Sequence, residues 1–233
     1  MRRPIVKLGC IVAATAAILF GSVYVFAGEP QVIQTTVIQV PPTTSEDSVV
    51  MVNLADGHGS GVHIGNGLVV TAAHVADGTK PIKIKSSDGA EADAEVLWAN
   101  KAYDVALLST KGKIPGSAEI DCRAPKLGDE IQAAGNPLNL EFVSSFGRIA
   151  GNVRKADPWR EVVITDITTV MGVSGGPVFG KDGRVVGIAV GVVPAPLKID
   201  DGKGGTTYAP SLTGFGTAVP GSVICMLLGR GAA

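Results

Sequence analysis

The chain has 233 residues, with 20 Lys and Arg against 21 Asp and Glu, for a formal net charge of −1. That balance leaves no basic footprint for a phosphate backbone, which excludes nucleic acid as a natural partner. With 45% hydrophobic residues and 31 glycines, the composition fits one globular domain, large enough for a two-lobed core, plus a tail.

The chain opens with a basic stretch, Met1-Arg2-Arg3-Pro4-Ile5-Val6-Lys7, followed by 20 residues without a formal charge, 8–27. At about 1.5 Å per residue such a helix reaches ~30 Å, enough to cross a hydrocarbon core. Positive charge before it and Glu29 after it place the N-terminus in the cytoplasm and the remainder outside. Residues 1–27 therefore read as a signal anchor or a signal peptide, with Val25-Phe26-Ala27 suited to cleavage. The apolar run is longer than most signals, which favours an anchor. Either reading gives an extracytoplasmic domain, periplasmic or secreted, and the anchor would hold it to the inner or plasma membrane through residues 8–27. Residues 28–47, with Pro30, Pro41, Pro42 and a Thr-Thr-Ser cluster, read as a linker. Its β-branched run, 32–40, is the one part of it that could pair as a strand.

From residue 48 onward short β-rich runs alternate with Gly and Asp-Gly turns: 49–54, 61–64, 68–71, 82–85, 94–98 and 105–108. A second set follows Pro125: 130–134, 141–149, 162–165, 177–179, 185–190 and 214–219. Evenly spaced strands of this kind argue an all-β barrel or sandwich. Asp88-Gly89 and Asp182-Gly183 read as hairpin turns, and 72–76 and 221–228 are the helix candidates. The expected domain spans 48–229, with lobe one about 48–121 and lobe two about 125–228. The cysteines are scattered, and His58 and His63 read as exposed strand and turn residues, so no metal site and no cofactor is expected.

Gly172-Val173-Ser174-Gly175-Gly176-Pro177 is what a turn needs to expose one hydroxyl beside unobstructed backbone N–H groups. Alone it reads equally as a Gly-rich hairpin. Two further segments decide between them: Thr71-Ala72-Ala73-His74 at the end of an apolar run, and Asp104-Val105-Ala106-Leu107-Leu108 at the head of one. Each has an ordinary reading by itself, as a turn histidine and a strand-capping aspartate. Together, in the order His, Asp, Ser, they compose a nucleophile, its general base and the carboxylate that orients that base.

On these three motifs the chain resembles the trypsin-like serine peptidases, and within them the HtrA/Deg-type branch, from about Val49 to Leu228. Gly59-Ser60-Gly61-Val62, Ala134-Gly135-Asn136-Pro137, Val143-Ser144-Ser145-Phe146-Gly147-Arg148-Ile149, Thr165-Asp166 and Gly216-Thr217-Ala218-Val219-Pro220 are similar to that branch's segments in the same order. The resemblance implies a two-lobed, chymotrypsin-like double β-barrel with a short C-terminal helix. It implies a serine endopeptidase acting on exported or misfolded proteins and peptides, with His74, Asp104 and Ser174 as the triad. The N–H groups of Gly172 and Ser174 would form the oxyanion hole. A specificity pocket is expected near Ile167, Thr168, Val190, Gly191 and Val192, apolar and favouring Val, Ala, Ile or Leu, since Thr168 stands where trypsin keeps an acid. The chain departs from the branch at Val173, in having no PDZ domain after the peptidase region, and in the Pro/Gly-rich stretch 194–210. Val173, where activated trypsins carry an aspartate, argues against zymogen cleavage and for control by loop ordering.

Family members with a disulfide between the interlobe connection and the C-terminal helix make Cys122 and Cys225 a candidate pair, although two buried free thiols fit the sequence equally well. Nothing in the sequence indicates an oligomer. Two other classes stay in play at this level: a catalytically inactive trypsin-fold binding module anchored to the membrane, and a purely structural protein. The intact triad argues against the first.

Overall fold

A computed structural model describes residues 45–77, 81–200, 202 and 204–229. The apolar segment 8–27 and most of the linker, including 32–40, lie outside the described residues. Among those described, no helix is long and apolar enough to cross a membrane. Within the described residues a 3-10 turn, Ser45–Ser48, leads into twelve strands and two short helices.

The strands close into two barrels. β1 (Val49–Leu54), β2 (Gly57–His63), β3 (Leu68–Thr71), β4 (Ile82–Ser86), β5 (Glu91–Asn100) and β6 (Val105–Thr110) form the first, in the order β1-β2-β3-β6-β5-β4. β7 (Glu130–Gly135), β8 (Val143–Ala156), β9 (Trp159–Thr165), β10 (Pro177–Gly180), β11 (Val185–Asp200) and β12 (Thr206–Pro220) form the second, in the order β10-β11-β12-β9-β8-β7. Closure removes the free sheet edges that all-β chains must otherwise protect. The all-β, two-barrel reading holds.

Each barrel is filled by β-branched and aliphatic side chains, with several strands, β3 and β6 among them, buried along nearly their whole length. Val50, Val52, Val62, Val70 and Leu108 are fully buried in the first, each contributing about 1.5–3 kcal/mol relative to exposure. Ile149, Val163, Ile167, Val173 and Val178 pack in the second. α1 (Ala73–Ala76) follows β3, and α2 (Gly221–Leu227) closes the chain's described part. Both match the helix candidates to within a residue.

Two differences from the sequence reading are informative. β11 and β12 do not stop at 190 and 214 but continue as an antiparallel arm, from Pro194↔Leu212 to Asp200↔Thr206. No strand is expected over the Pro/Gly-rich stretch 194–210, yet Pro194↔Leu212 and Pro196↔Pro210 are alternate pairs of one ladder. Prolines at such outward-facing positions cost the ladder no donor. The second difference is His63, expected to be exposed but only 9% accessible. Gly67 N–H donates to its Nε2 at 3.2 Å, and its Nδ1 donates to the Gly116 carbonyl at 2.6 Å.

The interlobe connection is tied down at several points. Asp121 N–H donates to the Val185 carbonyl at 2.9 Å, and Val185 N–H to Glu119 O at 2.8 Å. Cys122 and Cys225 are joined as a disulfide with Cα atoms 5.5 Å apart, which fastens α2 to this connection.

Candidate active site

His74 is placed by the end of β3: the strand stops at Thr71, and Ala72 in extended conformation turns the chain into the single helical turn of α1. Asp104 lies in the turn between β5 and β6, with a left-handed φ of 59° that aspartate tolerates better than bulkier residues. The two meet at two points. Asp104 Oδ1 accepts the His74 backbone N–H at 2.9 Å, and Oδ2 accepts Nδ1–H at 2.8 Å. A carboxylate can only accept, so Nδ1 carries the hydrogen and the neutral ring keeps its lone pair on Nε2.

Asp104 is 7% exposed. Burial pushes its carboxyl up, but the His74 ring and backbone N–H bonds, the His74 charge and an indole N–H together outweigh that and hold it below the usual carboxylate range. The indole belongs to Trp159, which donates Nε1–H to Oδ2 at 3.0 Å from the second barrel. The sequence reading missed Trp159. Its one signal was rarity, since the chain has two tryptophans. His74, Asp104 and Trp159 together with Ala73, Lys101 and Pro158 line a cleft of about 360 Å³.

Ser174 follows Gly172, whose φ of 95° places it where a side chain would be strained. The chain returns through Gly175, φ 83°, packed so tightly on β2 and β3 that an added Cβ would lie 2.7 Å from Ala72 N. This contact sets the serine turn against the segment leading into His74. Among the described residues, Ser174 Oγ makes no hydrogen bond, and neither the Gly172 N–H nor the Ser174 N–H finds an acceptor. Gly175 N–H is taken by the Ala189 carbonyl at 2.7 Å.

The pocket residues divide. Ile167 and Val190 are 1% and 3% exposed and sit among buried neighbours. Thr168 is exposed, and Gly191 and Val192 are half-buried. Trp159 packs over Gly191, where a Cβ would come within 2.6 Å of its ring. Close by, the buried hydroxyls of Thr165 and Thr217 have no partner among the described residues. His58, expected to be exposed, is half-buried and donates Nε2–H to the Asn136 carbonyl at 2.8 Å. No cluster able to hold a metal ion occurs among the described residues.

A model of the trypsin-like peptidase domain matches residues 59–188. The probable periplasmic serine endoprotease DegP-like of Halomonas elongata is 34% identical over 134 residues, which are 56% of this chain and 28% of that protein. The periplasmic serine endoprotease DegP of Salmonella typhimurium is 31% identical over 176 residues, 71% of this chain and 34% of that protein. The chain thus spans about a third of the length of these relatives. The serine endoprotease from Yersinia pestis superposes with a TM-score of 0.65 at 24% identity, over 80% of this chain and 63% of that one. The HtrA-type protease AlgW with a tripeptide gives a TM-score of 0.66 at 21% identity, over 80% and 60% of the two chains. At these identities the likeness is one of fold.

Proposed function

Because this chain belongs to the trypsin-like peptidase family, we propose that it is a serine endopeptidase in which Ser174 attacks the scissile carbonyl of a protein substrate. His74 Nε2 takes the Ser174 hydroxyl proton as the acyl-enzyme forms and returns it to the leaving amine. Asp104 keeps the imidazole in the tautomer that exposes Nε2 and stabilises the imidazolium. The Gly172 and Ser174 N–H groups stabilise the oxyanion. Water then attacks the acyl-enzyme with His74 again as base.

The observation that carries this reading is the two-point clasp of His74 by Asp104, with a backbone N–H and a ring N–H on separate oxygens of one carboxylate. Similarity to endoproteases named periplasmic supports an extracytoplasmic location and protein substrates. The basic start and the uncharged segment 8–27 support tethering to the membrane. Thr168, the residue expected where trypsin keeps an acid, is uncharged and exposed, which supports cleavage after small aliphatic residues. An apolar pocket of this kind discriminates by about 1–3 kcal/mol per methylene.

Incubation of the exported domain with casein, followed by cleavage-site mapping, tests this function. Cuts after Val, Ala, Ile or Leu that vanish in Ser174→Ala support it. Intact casein with a folded wild-type domain fits the rival reading, a trypsin-fold binding module, and cuts after Arg or Lys would refute the pocket.

A further inference from the structure

The serine turn is held from behind by one buried hydroxyl. Ser60, on β2 of the first barrel, is fully buried. Its Oγ donates to the Gly172 carbonyl at 2.7 Å and accepts the Asn136 backbone N–H at 2.8 Å and Nδ2–H at 3.1 Å. A hydroxyl has one donor and two lone pairs, and all three are engaged. The Ser60 N–H donates in turn to the Ser174 carbonyl at 2.8 Å.

Asn136 carries the arrangement to the neighbouring peptide. Its Oδ1 accepts Phe142 N–H at 3.0 Å and so closes the loop 137–142. That loop presents the Leu138 N–H to the Met171 carbonyl at 2.8 Å. In a planar trans peptide the N–H points opposite to the C=O. Holding Met171 C=O against the loop therefore turns the Gly172 N–H the other way. Ser60 fixes the next peptide through Gly172 C=O, whose Val173 N–H closes on Val170 O at 3.3 Å. Val173 C=O accepts Gly176 N–H at 2.9 Å, which in the same way turns the Ser174 N–H away from that bond. The carbonyls of Met171, Gly172 and Val173 are thus each occupied, and each bond fixes the orientation of its own peptide plane.

We propose that Ser60, locked by Asn136, is a positioning residue that sets the peptide planes of the oxyanion site without touching substrate. This rests on the endopeptidase reading above. It also explains why a first-barrel serine is joined to a second-barrel asparagine: the site assembles only when the two barrels are docked.

The test compares wild type, Ser60→Ala and Ser60→Cys, the last retaining bulk with a weaker hydrogen-bonding group, in steady-state cleavage of a chromogenic peptide. Amide shifts of ¹⁵N-labelled Gly172 and Ser174 are recorded on the same samples. Ser60→Ala is expected to lower kcat roughly ten- to a hundred-fold, less than loss of an oxyanion donor itself. KM should stay within about two-fold, the signature of an interaction made in the transition state. Ser60→Cys should fall between, and both amides should shift. A folded Ser60→Ala with wild-type kcat, or a kcat loss that only follows the unfolded fraction, overturns the proposal. If wild type itself is inactive, the endopeptidase reading fails, and the amide shifts still decide whether Ser60 positions the turn: unchanged shifts overturn that as well.

Discussion

Trp159 donates its indole N–H to the Asp104 oxygen that also accepts His74 Nδ1–H, so one carboxylate of the first barrel is held by a side chain of the second. Asp104 Oδ2 thereby keeps a fixed direction relative to the imidazole. Trp159→Phe keeps an aromatic ring at this position while deleting this bond and the far indole edge that packs over Gly191. Hydrogen bonds to charged groups are worth about 1.5–3 kcal/mol, so kcat should fall roughly ten-fold as Asp104 loses its restraint. Peptide turnover and urea unfolding of the variant check both terms. Unchanged turnover would confine Trp159 to packing.

Asp104→Asn should be far more damaging. The amide presents a donor toward Nδ1 and favours the tautomer that protonates Nε2, removing the base. The loss should approach about 10⁴ in kcat, a magnitude belonging to the established template for such triads rather than one computed for this chain. The variant should stay folded, which circular dichroism checks. Near-wild-type turnover would remove Asp104 from the mechanism.

The strands, the two helix positions and the candidate-site motifs were legible because each depends on short-range pattern. β-branched runs end at Gly or Asp-Gly turns, and glycines crowd around one serine. The arm beyond Val190 was not legible, since Pro194, Pro196 and Pro210 carry the same letters whether they break a strand or sit on its outward-facing positions. The contacts of Trp159 with Asp104 and of Ser60 with Gly172 span 55 and 112 residues. No local pattern announces them. His58 and His63 misled for the same reason: the carbonyls of Asn136 and Gly116 that bury them come from elsewhere in the chain.

Stability in acid should depend on the interlobe connection. The Arg123 guanidinium forks onto Asp121, with Nε–H to Oδ1 at 2.9 Å, and these bonds, against a smaller opposing effect of burial, hold the carboxyl down to about 2. The folded value lies below the unfolded one near 3.9. The pair therefore stabilises fully above about pH 4, and that contribution is lost as pH falls from about 4 towards about 2. Thermal melts from pH 6 to pH 2 should show Arg123→Ala melting below wild type at pH 6, with the gap closing in acid. A gap that stays constant with pH would contradict this.

The Cys122–Cys225 bridge closes a loop with a sequence separation of 103. In the chain-entropy account, loops of about 100 residues give up to ~4.7 kcal/mol, and removal from a domain more commonly costs about 2–5 kcal/mol. Reduction should lower the unfolding free energy by an amount in that range, with α2 losing amide protection first. Alkylation of the intact, unreduced domain followed by mass spectrometry should find neither cysteine modified. Two modified cysteines would leave α2 held by apolar packing alone.

The central claim is that Ser174 is an activated nucleophile beside a formed oxyanion site, and a fluorophosphonate probe reads that state directly. Such probes react with a serine whose proton has an acceptor and whose developing oxyanion has donors. Wild-type protein should be labelled at one position, mapped by mass spectrometry to Ser174, with labelling abolished in Ser174→Ala and strongly slowed in His74→Ala. A folded wild-type domain that takes up no probe, or labelling that survives in Ser174→Ala, would contradict it.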